Sequence, residues 1–484
     1  MKDFIKNNWH IILPELFVFI VFILFYGQFG DIMVDSFREV YIPQQMLEGN
    51  VLYKNIFVIY PPLSYLINAL IIKIFGSSLN VFYFAGLVST FGILFFTSKI
   101  SDKLLNNKIY TFCICIFIIA GLVLSPNVFN SFFPYSYGIL YGVLFVLISL
   151  YFALKKNFSF LYLFYALSIL CKYEFVLLLP LLIYWSRNSH WKKNLLSFIS
   201  PLFVTICVLI IQGVRLEDFS STANIINLMS HSKTLYWFYS VMGLTFRIEL
   251  LAIYFINIIK FLCPVYWIQY QEVILWALPI ILLVSCIRFK TFNNREKIFI
   301  VATLLVSVKV FFALTLQSYG VYFLPFVLIS LFIITPLRYR KFLFILLTIW
   351  SLIIGCFNIQ SLTHKKMELN EITKYIQENT IPSDRIVAYP ECLALNVSSK
   401  RKSDDKFYSL IPLYVETFGE EIIIKRLKII KPEYIIINDY DTSAYYFREF
   451  GVDYAQKILV FIKNNYHLEN TIKDRWNFKI YKLN

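Results

Sequence analysis

Apolar runs recur along this chain from residue 11 to residue 357. A soluble fold has no place for so much consecutive apolar surface. A bilayer does, because its ~30 Å hydrocarbon core takes helices of about 20 apolar residues. Only 15% of the 484 residues are charged, against about 25% in soluble domains. From about residue 363 the composition changes to that of a soluble domain. The expected division is therefore a membrane domain over 1–362 and a soluble domain over 363–484.

The net charge of +15 raises nucleic acid as a partner, and its distribution excludes it. The stretch 363–484 holds 19 Lys/Arg against 17 Asp/Glu, which leaves +13 for the membrane part. That excess sits largely in short loops, the bias that keeps basic loops on the cytoplasmic side. Basic turns occur at Lys2 and Lys6, at Lys99, Lys103 and Lys108, and at Lys155 and Lys156. Others are Arg187, Lys192 and Lys193; Arg288, Lys290, Arg295 and Lys297; and Arg338, Arg340 and Lys341.

Every basic turn falls inside if 61–76, PPLSYLINALIIKIFG, does not cross. It is short, opens on two prolines and contains Asn68 and Lys73. It reads as a helix lying on the outer surface. The expected fold is a polytopic α-helical membrane protein with about eleven crossings. They run near 11–28, 80–98, 109–124, 136–154, 158–171, 174–186, 195–212, 272–288, 297–316, 320–336 and 341–357. The N-terminus is then cytoplasmic, and the tail is an extracytoplasmic α/β domain at the plasma membrane. The first helix contains Pro14 and Glu15 and lacks a small-residue cleavage site, so it reads as a retained span. The segment 213–270 stays open between surface helices and a further pair of crossings.

Seven of the eight cysteines lie in or beside apolar segments, and Cys392 alone lies in the tail. No disulfide framework follows. Cys113 and Cys115 have no second pair to complete a metal site and read as small core residues. In the tail, 384–389 and 432–439 read as strands, 367–380 and 419–432 as helices, and 476–484 as a terminal strand. The tail shows no glycine-rich phosphate loop and no metal-ligand cluster.

The first outer loop, 29–79, carries a dense acidic cluster. It orders Asp35, Arg38, Met46, Leu47, Gly49, Tyr53, Pro62, Leu63, Tyr65, Phe75 and Gly76. This order resembles the GT-C superfamily of integral-membrane glycosyltransferases, in particular bacterial relatives of the protein O-mannosyltransferases and the aminoarabinose lipid A transferases. The motifs cover about residues 31–100, and the layout of helices followed by an outer domain extends over the whole chain. The resemblance implies an inverting transfer of a sugar from a polyprenyl-phosphate donor. The acceptor would be an envelope glycan, lipid or protein, reached at the outer face with membrane lipid around it. By position, Asp35 would be the general base, a role a carboxylate near the membrane surface can fill. The pattern calls for no organic cofactor or metal site and leaves a divalent metal open. Two departures stand out. Ser36 replaces a second acidic residue, and Pro61–Pro62 stand where some relatives have a lysine, so the phosphate clamp must lie elsewhere.

Candidates for that clamp follow from cost. An ionisable group at membrane depth is expensive and marks function. Lys172 and Glu174, in the outer turn CKYE, and Lys309, inside VSVKVFFALTL, meet that description. In relatives a lysine at the first of these turns lies near the donor phosphate. Arg38 would organise the site or the phosphate. Tyr319 and Tyr322 are candidate donor contacts in an outer turn, weighed against the interfacial aromatic belt. Bland readings compete at each position. Asp35 is also a helix N-cap, Arg38 and Glu39 a surface pair, and Lys172 a snorkelling side chain. Asp31 is a fallback base, His231 and Lys233 are weaker candidates, and Tyr60 with Pro61–Pro62 reads as structural. Lys400, Arg401 and Lys402 read as a solvated run with a minor claim on the acceptor. Two other classes remain as rivals: a transporter or flippase for lipid-linked glycans, and a non-catalytic membrane scaffold. No internal repeat supports the transporter.

Overall fold

The computed structural model describes residues 2–30, 35–219, 270–312, 317–364, 369–403, 405–443 and 447–484. Expectations for Asp31, for His231 and Lys233 and for most of 213–270 lie outside them.

Local sequence signals set many helix ends. Asn106–Asn107 makes the corner between α4 (Leu79–Leu105) and α5 (Lys108–Ile118). Asn106 takes the left-handed conformation that stops α4, with φ 51°. The Asn107 side chain accepts from the amides of Ile109 at 3.0 Å and Tyr110 at 3.1 Å, which starts α5. Ser136 and Asn157 cap α6 (Tyr137–Leu154) and α7 (Phe158–Cys171) in the same manner.

The remaining membrane-domain helices are α1 (Lys2–Leu24), α2 (Asp35–Leu47), α3 (Leu63–Phe75), α8 (Leu179–Ser186) and α9 (Trp191–Ile211). After 220–269 come α10 (Tyr270–Arg288), α11 (Asn294–Phe312), α12 (Leu324–Ile334) and α13 (Arg340–Thr363). Among the described residues, five helices are long and apolar enough to cross a bilayer: α1, α4, α6, α9 and α13. Shorter apolar helices pack among them. The 13 residues of α3 make a helix of about 20 Å, short of a ~30 Å core.

Small residues and short polar side chains bind these helices. A Cβ at Gly86 of α4 would stand 2.2 Å from the Phe132 carbonyl oxygen, so only glycine admits the 125–136 loop there. Gly142 of α6 leaves room for the Phe175 ring, which a Cβ would meet at 2.5 Å. Ser149 donates to the Leu161 carbonyl at 3.0 Å across α6 and α7, and Thr303 and Ser330 meet at 2.8 Å across α11 and α12. At the wide π turn after α5, Ile119–Val123, Asn358 of α13 donates to the Ala120 carbonyl at 2.9 Å.

The tail is a four-stranded sheet flanked by helices. Its elements are α14 (Asn370–Asn379), β1 (Ile386–Tyr389), α15 (Leu393–Ser399), α16 (Pro412–Phe418), α17 (Glu420–Ile430), β2 (Tyr434–Asn438), α18 (Gln456–Asn465), β3 (Tyr466–Lys473) and β4 (Asn477–Leu483). The strand order is β1-β2-β4-β3, with β1 parallel to β2 and the other pairs antiparallel. The register sets Ile386 opposite Tyr434 and Ile436 opposite Ile480. All five residues of β2 are buried, as a continuous apolar run demands of a central strand. The expected elements are present. Strand β3 and helices α15, α16 and α18 are additions. β3 lies at the sheet edge with polar residues outward, so it lacks an apolar run to announce it.

The tail docks on the first loop, which places both on one face. Helix α15 packs on α2. The Phe57 amide donates to the Lys406 carbonyl at 3.2 Å, and its ring meets Tyr414 at 5.3 Å and Phe418 at 4.8 Å. Lys402 pairs with Glu48 at 3.1 Å.

Candidate active site

Helix α2 is enclosed rather than laid on a surface. Residues 36–43 are all buried, between the tail on one side and α3 and the 125–136 loop on others. Its polar side chains therefore need protein partners. Ser36 donates to the Phe133 carbonyl at 3.2 Å. Glu39, fully buried, accepts from the Tyr137 amide at 3.1 Å and so caps the N-terminus of α6. Burial pushes the Glu39 carboxyl up, and the neighbouring Arg38 charge opposes it. Asn68 of α3 donates to the Glu39 carbonyl at 3.3 Å and accepts from the Tyr141 hydroxyl at 2.8 Å. The surface pair expected at Arg38 and Glu39 is thus a buried pair. The tail that buries it comes more than 300 residues later in the chain.

Arg38 donates to the Tyr135 carbonyl at 3.2 Å and lies 3.6 Å from the Glu39 carboxylate. Its guanidinium also sits over two rings, 5.0 Å from the centre of Tyr60 and 5.4 Å from that of Tyr135. Lys172 comes from a different direction, the turn between α7 and the short helical turn Tyr173–Leu178. Gly138 lets that turn approach, because a Cβ there would stand 2.9 Å from the Cys171 carbonyl. Lys172 is 3% exposed, which rules out snorkelling to the interface. Its ammonium stands 4.5 Å from the Tyr60 ring, 5.7 Å from Tyr319 and 6.0 Å from Tyr135. The Tyr60 and Tyr135 hydroxyls bond to each other at 2.8 Å. Two cations 134 positions apart in the chain thus share one aromatic chamber.

Glu174 accepts from the Tyr319 hydroxyl at 2.6 Å, so these two candidates also meet at the chamber. Tyr322 is fully buried and donates to the Asn130 carbonyl at 3.0 Å, holding the 125–136 loop. Asn130 in turn accepts from the Phe132 amide at 3.0 Å and the Phe133 amide at 2.8 Å. From the tail, Tyr408 and Tyr414 are buried nearby with hydroxyls 3.4 Å apart. Burial pushes the Tyr408 hydroxyl up to about 12, against the Arg38 charge, which favours its ionised form.

Asp35 is the first residue of α2, three positions before Arg38. Its side chain lies outside the described residues, as does that of Lys309 in the last turn of α11. Arg401, read as part of a solvated run, is instead buried, donating to Thr380 at 2.7 Å and to backbone carbonyls. Sequence reasoning gave no role in the site to Tyr135, Tyr173 and Tyr408, and took Tyr60 as structural. Their only signal was the density of tyrosine in outer-face loops. Among the described residues no group of three or more His, Cys, Asp or Glu gathers into a metal-binding cluster.

A buried pair of cations beside phenol donors is chemistry for an oxyanion, above all a phosphate. Similarity to solved structures bears on which fold presents it. No protein-family model and no curated protein matches the sequence. The structure is similar to that of ArnT from Cupriavidus metallidurans bound to undecaprenyl phosphate. The TM-score is 0.54 at 11% identity, with 98% of each chain covered. It is also similar to the Archaeoglobus fulgidus oligosaccharyltransferase in complex with zinc and sulfate. There the TM-score is 0.55 at 10% identity, covering 98% of this chain and 73% of that one. A second structure of that enzyme, tethered to an acceptor peptide with an NVT sequon, gives 0.52 at 9% identity. The chain shares the fold of these two membrane enzymes. At these identities the likeness is one of fold, spread over the membrane domain and the tail together.

Proposed function

We propose that this chain is a membrane glycosyltransferase, hexosyl- or pentosyl-transferring, that takes its sugar from a polyprenyl-phosphate donor. The acceptor is an envelope glycan, lipid or protein at the outer face. The observation that carries this reading is the meeting of Arg38 and Lys172 over Tyr60, one helical turn beyond Asp35. Residues three apart on a helix share a face, with Cβ atoms about 5–6 Å apart. Position 35 therefore shares the helix face of position 38.

In the reaction an acceptor oxygen forms a bond to the anomeric carbon as the bond from that carbon to the phosphate oxygen breaks. The phosphate leaves with the electron pair, and configuration inverts. Asp35 takes the acceptor proton. Arg38 and Lys172 stabilise the charge that builds on the departing phosphate. Tyr319, oriented by Glu174, lies within the same chamber, and Lys309 is a further candidate phosphate contact. Tyr322 supports the floor of the site. The eleven-crossing path accompanies this reading, with a cytoplasmic N-terminus and an extracytoplasmic domain from residue 363. A divalent metal, if used, would be held by Asp35 together with the donor phosphate and would supply Lewis-acid stabilisation of the leaving group.

The test is sugar transfer by purified membranes, with a panel of radiolabelled polyprenyl-phosphate sugars and native envelope extract. Asp35→Asn is expected to abolish transfer while inserting and folding normally. Equal transfer by both proteins removes Asp35 as the base. Wild type inactive with every donor moves the function to transport or scaffolding. A parallel reaction in EDTA reads the metal.

A further inference from the structure

We infer that Tyr60 is a positioning residue, whose ring is the shared platform that sets Arg38 and Lys172 as a phosphate clamp. This rests on the donor reading above and deepens it. Arg38 is 6% exposed and Lys172 3% exposed, and the charge of each is within cation–π reach of the same ring. Two like charges driven together away from water repel each other. The negative face of an aromatic ring offsets that repulsion. A carboxylate would do so too, but it would also repel an incoming phosphate. Glu39 already pairs with Arg38 at 3.6 Å from one side, and the ring compensates both cations without adding a further carboxylate.

The ring itself is firmly held. Pro61 follows it and fixes the chain leading into α3. The Tyr53 hydroxyl donates to the Tyr60 carbonyl at 2.8 Å, and the Tyr60 hydroxyl meets that of Tyr135 at 2.8 Å. On the other side, the Tyr173 hydroxyl donates to the Ile59 carbonyl. Tyr173 adjoins Lys172 in the chain, so this bond ties the loop carrying the platform to the turn carrying one of its cations. Such a fixed ring sets the spacing of two long, otherwise adaptable side chains before a donor arrives.

The experiment uses full-length protein in lipid nanodiscs and measures affinity for undecaprenyl phosphate and, as control, undecaprenol. Tyr60→Leu is expected to weaken phosphate-lipid binding about 30-fold, the scale of one desolvated cation–π contact. Binding of the alcohol should not change. Tyr60→Trp should restore affinity to within about three-fold of wild type, because it returns the ring. Tyr60→Phe, which removes the hydroxyl bond to Tyr135, is the reference for phenylalanines carrying one to four ring fluorines, which keep the ring and nearly its shape. Each fluorine drains the ring face, so affinity should fall stepwise with their number. A flat fluorine series overturns the platform, as does Tyr60→Leu binding like wild type, or Tyr60→Trp binding no better than Tyr60→Leu at equal melting temperature. Wild type that does not prefer the phosphate over the alcohol overturns the donor reading itself, and the clamp with it.

Discussion

Lys172 sits in extended backbone just past α7, with φ −152° and ψ 113°. It is almost fully buried, at a place where an ammonium gains nothing from water. Lys172→Met keeps the length and apolar stem and removes the charge. Transfer is expected to fall at least about 100-fold, the usual loss when one charged group facing a transition-state anion is removed. A melting temperature near wild type separates this from misfolding. Glu39 gives the opposite split. Its carboxylate caps α6, so Glu39→Ala leaves the Tyr137 amide unmet. That should cost about 1–3 kcal/mol of stability, read by thermal unfolding. Transfer per folded molecule should drop less than for Lys172→Met.

Among the helices, closeness is decided by what is missing. Gly86→Val puts side-chain atoms where the Phe132 carbonyl now lies. The 125–136 loop, which supplies Tyr135 to the site, has to move away. A stability loss of about 2 kcal/mol or more is expected, together with weaker donor binding. Within the tail, the loop that carries Tyr408 is pinned by Asp405. The Asp405 carboxylate accepts from Tyr389 at 3.0 Å, from the Phe407 amide at 3.2 Å and from Arg426 at 3.2 Å. Burial nevertheless pushes this carboxyl above the ordinary aspartate range. A folded-state pKa above the unfolded one means the folded tail holds this proton more tightly. The contribution is then present at acid pH and lost as pH rises from the ordinary aspartate pKa through the raised one. Hydrogen exchange of β1 and β2 against pH should show that decline in wild type, and a shallower one in Asp405→Asn. The reverse slope would refute the assignment.

At the scale of the molecule, the site is closed by pairing two regions far apart in sequence. Phe57 and Glu48 of the first loop meet Lys402, Lys406, Tyr414 and Phe418 of the tail. Phe57→Ala removes the ring that fills this seam. Amides of 36–48 should then exchange faster, while those within α6 and α7 should not. Reversing the exposed Lys402–Glu48 pair by swapping the two residues should change little, because such pairs contribute about 0–1 kcal/mol.

The sequence by itself determined the membrane class, the short α3, the main tail strands and the order Asp35, Arg38, Tyr65. Each follows from local quantities: length and polarity of a run, capping residues, a central strand's unbroken apolar stretch. It also singled out Lys172, since a lysine at membrane depth needs a reason wherever it lies. Only the tertiary structure decided that Arg38 is buried, that Arg401 is a structural donor, and that Tyr60 belongs with both cations. Those facts depend on which distant segment covers a helix and on what stands across a chamber. Neither is encoded in the spacing of residues along one strand or helix. They arise when Gly86, Gly138 and Gly142 let backbones and rings close in, and when the tail folds back onto the first loop.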